Sequence, residues 1–404
     1  RGARVRGARP VMLGQCSTDM NYYASGVRDA AAAMFTASHN PAAYNGIKMS
    51  AAGAKGISLD TGLAAIRDRA AEYLRDGIPA AGDDAGQIAV DVLRDYAEHL
   101  RALVDLRGIR PLRIVVDAGN GMAGLTVPAV LGTAAGLDEL PLEIVPMYFE
   151  PDGSFPNHEA NPLDPANLVD LQARVVAEGA DLGLAFDGDA DRCFVVDEHG
   201  APVSPSAVCA IVAAREVERV RAAGEDAPTV IHNLLTSRHV VETIERLGAT
   251  PVRTRVGHSL IKAEMARTGA VFGGEHSAHY YFRDFWGADN GMLAAMHVLA
   301  FVGGGDAPVS RLAAAQTPYF ASGEINSTVD DVPAAYERLV AAWAGEAEVD
   351  ELDGLTFSGA AADGWWWANV RPSNTEPLLR LNVEASEAGL MERVRDAALA
   401  LIRA

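Results

Sequence analysis

The sequence predicts an α/β protein of several domains that ends in a small α+β domain. Strand-like apolar runs alternate with helix-like patterns over most of the 404 residues, which is typical of α/β folds. The last segment differs, because the strand-like run LLRLNVEA (378–385) precedes a helix pattern with Leu390, Val394, Ala398 and Leu401 on one face. A chain of this length exceeds one ordinary core and predicts about two to four domains.

The individual elements are predicted from the spacing of apolar residues. Spacings of three and four predict a helix that contains Val92, Leu93, Tyr96, Leu100 and Leu103. Buried strands are predicted, in chain order, at RIVVDAGNG (113–121), PTVIHNLL (228–235) and GAVFGG (269–274). Stretches rich in Gly and Pro near 79–86, 200–205 and 303–308 are the candidate domain boundaries.

Three glycines after the first of these strands fit the dinucleotide-binding pattern GxGxxG. Gly119, Gly121 and Gly124 follow a strand, and Asp138 lies about 20 residues further on. In a dinucleotide site the acid ends the second strand, whereas Asp138 precedes the next apolar run, LEIVPMYF. This order favours a tight strand-to-helix turn over a nicotinamide or flavin site.

Composition limits the partners and the compartment. With 54 acidic and 34 basic residues the net charge is −20, so the basic footprint for nucleic acid or an anionic membrane is missing. The three cysteines, Cys16, Cys193 and Cys209, form no CxxC pair, as in proteins of a reducing cytosol. The longest apolar stretch, around 292–302, is too short to span a bilayer, and no signal peptide opens the chain. We therefore expect a cytoplasmic protein.

The run DGDADR (187–192) suggests phosphate chemistry. Asp187, Asp189 and Asp191 repel one another unless a cation lies between them, and their oxygens suit Mg²⁺ or Ca²⁺. Arg192 follows directly and could bind a phosphate by a bidentate contact. An EF-hand needs Gly where Arg192 stands and helices on both sides, whereas DLGLAF and CFVVD on either side are strand-like. A solvated turn is the alternative.

TASHNPAAYNGIK (36–48) places Ser38 near the end of a strand, because Pro41 favours a turn. From the residues alone, Ser38 is either a cap or turn residue or a nucleophile. No GxSxG elbow surrounds it, and its neighbour His39 is expected to point away from it. Lys48 adds a cation or a potential base, and an ordinary surface lysine is the alternative.

Two further segments follow predicted strands. VGHSLIK (256–262) places His258 one helical turn before Lys262. GEHSAH (274–279) places Glu275 and Ser277 on one face if the segment is extended, which would suit sugar hydroxyls. Its two histidines, His276 and His279, lack an apparent third metal ligand.

RPSNTEP (371–377) is bracketed by prolines between two strand-like runs. Its turn offers side-chain and backbone donors, so it is either a phosphate cradle or a polar turn. The side-chain donors are Arg371, Ser373, Asn374 and Thr375.

Taken together, these segments resemble the α-D-phosphohexomutase family, in its phosphomannomutase/phosphoglucomutase branch. The motifs TASHNP with NGIK, DGDADR, GEHSAH and RPSNTEP stand in the order typical of that family. PDGSFPNHEANP (151–162) and VGHSLIK add to the resemblance, which spans nearly the whole chain. Each motif is modest alone, but their joint order and spacing are specific.

The resemblance implies a fold of three similar mixed α/β domains around a cleft and a small C-terminal α+β domain like the TATA-binding protein. The expected boundaries are 1–86, 87–203, 204–318 and 319–404. The family usually begins with a further segment that carries a Gly/Arg loop, so we expect a truncated first domain.

The resemblance also implies a role for each motif. Ser38 would carry a phosphoryl group, and the three aspartates would bind Mg²⁺ together with an oxygen of that phosphoserine. Arg192 would contact the same group, and Glu275 and Ser277 would bind sugar hydroxyls. Of the remaining implied residues, His39, Lys48 and His258 would line the reacting centre, with Lys48 the candidate general base, and Arg371, Ser373, Asn374 and Thr375 would hold the non-reacting phosphate.

The implied activity is that of an isomerase, a phosphomannomutase that interconverts mannose 6-phosphate and mannose 1-phosphate. It would act through a phosphoserine enzyme and a hexose 1,6-bisphosphate, which also serves as activator, as a monomer or weak homo-oligomer. A phosphoglucomutase or dual-specificity enzyme is the first alternative, because His276 stands where phosphomannomutase-type members usually have Met. The others are a non-catalytic sugar-phosphate-binding relative and a metal-dependent phosphatase that uses Asp187 as nucleophile.

Overall fold

The structure, a computed structural model, describes residues 2–78, 86–373 and 378–404, which form four units. One large apolar core joins the first three units, and a separate core fills the fourth. Among these described residues no helix is long and apolar enough to cross a membrane. The boundary stretch 79–86 lies outside the described residues except for Gly86, and the four expected domain ranges stay predictions.

The first unit combines two small sheets with one largely buried helix. Its elements are the helices Gly2–Val5 (α1), Thr18–Arg28 (α2) and Ala64–Asp76 (α3), a π-helical turn at Leu59–Leu63, and the strands Val11–Met12 (β1), Ala32–Phe35 (β2), Ile47–Ala51 (β3), Lys55–Gly56 (β4) and Ile88–Ala89 (β5). Strands β2, β3 and β4 are antiparallel neighbours, and β1 pairs with β5 in parallel. Ser17 caps the start of helix α2, because its hydroxyl accepts a hydrogen bond from the N–H of Met20, and residues 18–25 of the helix are buried.

The second unit is a sheet covered by helices. Its elements are the helices Leu93–Leu103 (α4), Ala123–Val130 (α5) and Val169–Glu178 (α6), a 3₁₀ turn at Pro165–Leu168, and the strands Leu112–Asp117 (β6), Leu142–Met147 (β7), Leu182–Phe186 (β8), Cys193–Asp197 (β9) and Pro202–Val203 (β10). Strands β8 and β9 are buried along their whole length, which explains their continuous apolar sequence. Because DGDADR joins these two antiparallel strands, the strand–loop–strand prediction is confirmed.

The third unit repeats this arrangement. Its elements are the helices Pro205–Ala222 (α7), Arg238–Arg246 (α8), His258–Thr268 (α9), Gly291–Gly303 (α10) and Val309–Ala315 (α11), a 3₁₀ turn at Arg283–Phe285, and the strands Thr229–Asn233 (β11), Thr250–Thr254 (β12), Phe272–Gly274 (β13), Tyr280–Phe282 (β14) and Ala288–Asp289 (β15). The strand order is β12-β11-β13-β14-β15, and that of the second unit is β7-β6-β8-β9-β10. In both, three parallel strands are extended by two antiparallel ones, so the two units share one topology.

The fourth unit is an antiparallel sheet with two long helices. Its elements are the helices Val332–Ala342 (α12) and Ala388–Ile402 (α13) and the strands Phe320–Ala321 (β16), Ile325–Thr328 (β17), Ala347–Asp350 (β18), Leu355–Ala361 (β19), Gly364–Pro372 (β20) and Leu378–Ala385 (β21). The predicted strand and helix at the end of the chain are confirmed. Leu390, Val394 and Ala398 are buried in α13, but the last buried position belongs to Ile402 rather than to Leu401. The predicted α/β fold with a small α+β domain at its end is therefore correct.

The glycine triple after β6 forms a tight strand-to-helix turn. A Cβ on Gly121 would lie 2.6 Å from the carbonyl oxygen of Gly188 in the aspartate loop, and one on Gly124 would lie 1.9 Å from that of Phe149. The glycines therefore serve close backbone packing, which supports the turn that the sequence favoured. Through Gly121 the turn also packs directly against the backbone of DGDADR at Gly188.

Gly124→Ala is expected to lower the free energy of unfolding by about 1–3 kcal/mol, because the added methyl group collides with a backbone carbonyl. Gly124 lies inside α5, where helix propensity alone would make alanine stabilising by roughly 0.5–1 kcal/mol. The matched control is Gly389→Ala in α13, where the nearest atom to the added Cβ is the end of the Arg393 side chain at 3.6 Å. Urea unfolding of both variants measures the effect, and stabilisation by both would contradict the packing argument.

Candidate active site

Each of the four motifs predicted to carry chemistry connects two antiparallel strands. TASHNP follows β2 and leads to β3, DGDADR joins β8 to β9, and GEHSAH joins β13 to β14. RPSNTEP begins in the last two residues of β20 and ends just before β21. DGDADR in the second unit and GEHSAH in the third follow strands β8 and β13, which hold the same position in the two sheets. The structure brings the first three motifs into direct or near contact.

The serine loop of the first unit lies directly on the aspartate loop of the second. The Ser38 hydroxyl donates to Asp187 Oδ2 at 3.0 Å, although the two residues are 149 positions apart. Gly188 permits this approach, because a Cβ there would lie 2.5 Å from the Ser38 carbonyl oxygen. Ser38 itself has φ of +53°, a left-handed conformation that is costly for a side chain with a Cβ.

The expectation that His39 would point away from Ser38 is wrong. His39 Nδ1 lies 3.2 Å from the Ser38 hydroxyl, because the left-handed turn at Ser38 brings both side chains to one side of the loop. Burial, and then the charge of Arg192, lower the pKa of His39 to about 4. A neutral imidazole therefore lies next to the serine at neutral pH.

Two cations neutralise the three buried aspartates in part. Arg192 is 2% exposed, and its Nε donates to Asp187 Oδ2 at 2.9 Å. Lys48, on β3, lies with its ammonium 2.5 Å from Asp191 Oδ2 and 2.8 Å from Asp189 Oδ2. When all three carboxylates are ionised, the two cations leave one negative charge unbalanced, and burial accordingly raises the pKa of Asp187 above its usual value. Arg192 Nη2 has no hydrogen-bond partner in the described structure, which leaves a donor for an anion.

The environment of Lys48 bears on its predicted role as a base. Burial works to lower its pKa, but the charges of Asp191 and Asp189 outweigh burial and hold the pKa well above its usual value. Lys48 is therefore charged in this arrangement. It can neutralise negative charge or donate a hydrogen bond. It can accept a proton only after another cation has replaced it as the partner of Asp189 and Asp191.

Two threonines hold Asp189 in place and were not predicted from the sequence. The Thr18 and Thr36 hydroxyls both donate to Asp189 Oδ2, at 2.7 and 3.1 Å, and the Thr18 N–H donates to the Asp189 carbonyl at 3.0 Å. Thr18 begins α2, more than 170 positions away along the chain. No local pattern marks a threonine for such a contact, so only the tertiary structure reveals it.

The aspartate loop fits a divalent cation. One carboxylate oxygen from each of Asp187, Asp189 and Asp191 lies within 4.8 Å of the others, and all three residues are buried. Asp189 Oδ1 and Asp191 Oδ1 accept no hydrogen bond from any described residue. Buried acceptors without partners cost about 1–3 kcal/mol each, so a bound hard cation would remove that cost and the unbalanced charge together.

The GEHSAH segment is a tight turn and not the extended strand end assumed for it. The Glu275 N–H donates to the His279 carbonyl at 3.0 Å, and Ala278 has φ of +66°. Glu275 is consequently buried, where its carboxylate accepts from the Tyr281 hydroxyl at 2.8 Å and from Asn233 Nδ2 at 3.3 Å. Glu275 and Ser277 therefore do not share one extended face.

His279 is a third residue whose role the sequence interpretation missed. Its Nδ1 lies 3.1 Å from the Ser277 hydroxyl and its Nε2 lies 4.0 Å from Asp191 Oδ1, so it links the sugar-loop motif to the aspartate loop. His279 is the last residue of GEHSAH, so the motif already contained it, but the sequence interpretation considered it only as one of two possible metal-binding histidines. His276 faces elsewhere, because its Nδ1 lies 2.9 Å from the Ser206 hydroxyl at the start of α7.

VGHSLIK and RPSNTEP are described in part. His258 is the first residue of α9, and its side chain lies outside the described structure. Lys262 pairs with Asp289 at 2.6 Å and lies 3.8 Å from the centre of the Tyr22 ring, so it joins the first and third units. Asn374 and Thr375 lie outside the described residues. Arg371 and Ser373 flank the start of the predicted phosphate turn, and Arg371 is buried.

Sequence comparison identifies the family. Profiles described as phosphoglucomutase/phosphomannomutase alpha/beta/alpha domains I, II and III match residues 1–75, 94–200 and 204–320, and the profile of the C-terminal domain matches 324–401. A protein of Xanthomonas campestris pv. campestris named "Phosphohexose mutases" is 40% identical over 397 residues, which cover 97% of this chain and 84% of that protein. The chain belongs to the phosphoglucomutase/phosphomannomutase family. It is thus an isomerase of the mutase type, as the resemblance implied.

Two further relatives of the mutase have names that agree with this family. The phosphomannomutase of Escherichia coli K12 is 38% identical over 88% of this chain and 76% of that protein. The phosphomannomutase/phosphoglucomutase of Pseudomonas aeruginosa is 35% identical over 95% of this chain and 79% of that protein.

Solved structures share the fold. A phosphoglucomutase/phosphomannomutase family protein from Burkholderia thailandensis superposes with a TM-score of 0.83 at 29% identity, covering 99% of this chain and 84% of that one. An N-acetylphosphoglucosamine mutase from Aspergillus fumigatus, solved with glucose 1,6-bisphosphate, has a TM-score of 0.63 at 15% identity over 99% of this chain and 97% of that one. The second likeness shows the fold alone.

Asp189→Asn in the mutase is expected to weaken Mg²⁺ binding roughly tenfold or more, because the affinity of such sites depends on the charge of their ligands. Titration calorimetry with Mg²⁺ measures the affinity directly. The matched control is Asp363→Asn, an exposed aspartate paired with Arg393 in the fourth unit, which should bind Mg²⁺ like the unsubstituted protein. Equal affinity in both variants would show that the aspartate loop is not the cation site.

Proposed function

We propose that this mutase transfers a phosphoryl group between Ser38 and the 1- and 6-hydroxyls of a hexose, with mannose phosphates as its principal substrates. The single observation that supports this most is the contact of Ser38 with Asp187, inside a loop that also holds Arg192 and the carboxylates for a cation. Phosphoryl transfer depends more on positioning the reactants and neutralising charge than on covalent chemistry by the protein. The buried charged side chains of this site are suited to both tasks.

The proposed reaction has two transfers. In the first, a hexose hydroxyl attacks the phosphorus of phospho-Ser38, the bond from phosphorus to the Ser38 oxygen breaks, and a hexose bisphosphate forms. The bisphosphate then turns over, and the Ser38 oxygen accepts its other phosphoryl group as that sugar oxygen regains a proton. The hexose phosphate released is the isomer of the one bound. A hexose 1,6-bisphosphate would also reload a dephosphorylated Ser38, which makes it the proposed activator.

In this proposal several residues bind or contact the reacting phosphoryl group. Arg192, with an unpartnered Nη2, is proposed to bind its oxygens. We propose that Mg²⁺ would be held by Ser38, Asp187, Asp189 and Asp191 and would neutralise charge at the phosphoryl group. His39 lies beside Ser38, and we also place His258 here from its motif.

The proton that leaves the attacking hydroxyl needs an acceptor near the aspartate loop. The sequence resemblance suggests Lys48 for this role. Because Lys48 is charged while it pairs with Asp189 and Asp191, it could act as a base only after a bound cation replaces it at these carboxylates. His279 is the other candidate, because burial lowers its pKa to about 4 and keeps it neutral next to the same loop. Lys48 stays the proposed general base, and His279, which its lowered pKa makes a weak base, is the alternative proton acceptor.

The rest of the hexose phosphate is bound by the third and fourth units in this proposal. Glu275 and Ser277 are proposed to accept and donate hydrogen bonds to the sugar hydroxyls. Arg371, Ser373, Asn374 and Thr375 are proposed to hold the non-reacting phosphate, the first two on the described part of the turn. Because the sugar binds in two orientations, a few hydroxyl contacts serve better than a closely fitted pocket.

The compartment and assembly are parts of the same proposal. All three cysteines are buried and free, which suits a reducing compartment such as the cytoplasm. Nothing in the acidic composition favours a nucleic-acid partner. A monomer or weak homo-oligomer stays a prediction.

Ser38→Ala is expected to lower kcat at least 10³-fold, because it removes the group that carries the phosphoryl between the two positions. The matched control is Ser358→Ala, an exposed serine on β19, which should retain full activity. Mapping the phosphopeptide after incubation with a hexose 1,6-bisphosphate should find the label on residue 38. Label on Asp187 instead would favour the phosphatase alternative, and full activity of Ser38→Ala would contradict the phosphoserine mechanism.

A coupled assay with mannose 1-phosphate and glucose 1-phosphate tests the sugar preference. We expect the larger kcat/KM with mannose 1-phosphate, because several relatives above 35% identity are named phosphomannomutases. A larger value with glucose 1-phosphate would make the protein a phosphoglucomutase. Binding of both sugars without turnover of either would support a non-catalytic relative.

A further inference from the structure

A fully buried carboxylate of the first unit lies outside the four motifs. Asp19 is the second residue of α2 and has no exposed surface. Burying a carboxylate costs free energy unless hydrogen bonds satisfy its oxygens. Three donors do so here, namely the Ser17 hydroxyl, the Met20 N–H at 2.9 Å and the Tyr96 hydroxyl at 2.5 Å.

Tyr96 is the donor that comes from another unit. It lies on α4 of the second unit, fully buried and 77 positions from Asp19 along the chain. Ser17 and Met20 are close neighbours of Asp19 in sequence, so their hydrogen bonds do not depend on where α2 lies. The Tyr96 hydroxyl instead fixes the start of α2 relative to α4, because a hydrogen bond restricts both distance and direction. An edge-to-face contact of Tyr96 with Tyr23, at 5.9 Å between ring centres, packs the same two helices together.

The start of α2 also holds the aspartate loop. Thr18, the residue before Asp19, donates its hydroxyl to Asp189 Oδ2 at 2.7 Å and its N–H to the Asp189 carbonyl at 3.0 Å. These two hydrogen bonds restrain both the side chain and the backbone of Asp189. Because Thr18 and Asp19 are consecutive residues of one helical turn, a displacement of Asp19 also displaces Thr18. A chain of contacts therefore leads from Tyr96 to a carboxylate of the proposed cation site.

The third unit restrains the same loop from another side. A Cβ on Gly291, the first residue of α10, would lie 2.8 Å from the carbonyl carbon of Arg192 and 3.0 Å from the carbonyl oxygen of Ala190. The start of α10 thus packs against the backbone of the loop. With its backbone held there, the loop has little room to follow a displaced Thr18, so the geometry of Asp189 should depend closely on where Thr18 lies.

We propose that Asp19 and Tyr96 are positioning residues of the cation site. Their hydrogen bond fixes the place of Thr18, and Thr18 in turn orients Asp189. Outer partners of this kind orient metal ligands in many proteins, and losing one typically costs about 10- to 100-fold in metal affinity. The inference rests on the proposed function, because it takes the aspartate loop as the Mg²⁺ site. It gives the contact between α2 and α4 a role in the chemistry of the site as well as in packing.

The first test is calorimetric titration of Tyr96→Phe with Mg²⁺. This substitution keeps the buried ring and removes only the hydroxyl, and we expect it to raise the Kd for Mg²⁺ roughly tenfold. The matched control is Tyr319→Phe, whose hydroxyl likewise donates to a carboxylate, that of Glu242, at 2.6 Å where the third and fourth units meet. The control should bind Mg²⁺ like the unsubstituted protein. An equal loss in both variants would reflect a general effect of removing a tyrosine hydroxyl and would overturn the inference.

The second test asks whether Tyr96 acts through Thr18. Thr18→Val keeps the shape of the side chain without its hydroxyl and should weaken Mg²⁺ binding roughly tenfold, whereas Thr18→Ser should stay within about threefold of the unsubstituted protein. When Thr18→Val is already present, adding Tyr96→Phe should change the affinity less than about threefold. Losses that multiply to about a hundredfold would show that Tyr96 acts independently of Thr18, which contradicts the inference. Thermal midpoints measured without Mg²⁺ confirm that each variant is folded at the temperature of the titration.

The outcome at Asp189 separates this inference from the proposed function. If Asp189→Asn weakens Mg²⁺ binding and Tyr96→Phe does not, the cation site stands and the positioning role of Tyr96 is wrong. If Asp189→Asn has no effect, the aspartate loop is not the cation site, and the proposed function loses its metal. The titrations do not depend on phosphorylation of Ser38, so failure of the phosphoserine mechanism would leave both tests of Tyr96 intact.

Discussion

The neutralisation of three buried aspartates by Lys48 and Arg192 is the interaction on which the rest of the site depends. Carboxylates without partners could not be buried at the end of β8, because an isolated charge in the interior costs many kcal/mol. Arg192 comes from the loop itself, but Lys48 comes from the first unit, and so do Thr18 and Thr36, which hold Asp189. The aspartate loop therefore adopts this arrangement only where the first and second units meet. One continuous core across the first three units is the structural result.

The repeated topology explains why motifs far apart in sequence meet. In the second and third units the chain leaves a parallel strand, β8 or β13, and returns along an antiparallel one, so each unit presents a short turn at the equivalent position. The serine loop after β2 is also a turn between antiparallel strands. A tight turn at such a strand end exposes a few of its side chains, while the two strands that it connects remain buried. His279 and Asp191, which lie 4.0 Å apart, show the two repeated turns meeting.

The fourth unit is joined to this arrangement in a different way. It has its own apolar core, and several of its contacts with the third unit are polar. The Arg238 N–H at the start of α8 donates to Glu384 at 2.9 Å, and the Val256 N–H donates to Asp353 at 3.0 Å. A separately packed unit can change its orientation by exchanging such polar contacts, without opening either core. In the proposed function the phosphate cradle that contains Arg371 stands on this separately packed unit.

Apolar periodicity and motif order are properties of local sequence, so they predict the fold class, the final strand and helix, the strand–loop–strand setting of DGDADR and the family. Which side chains meet depends on the tertiary structure. Thr18 carries no local mark of its contact with Asp189, and the divergence expected of His39 is wrong because the left-handed conformation of Ser38 reverses the chain. Lys48 could be a surface lysine, a base or a counter-ion by sequence. Only its 2.5 and 2.8 Å approaches to two buried carboxylates show it as a counter-ion, because charge compensation depends on distance in space and not on separation along the chain.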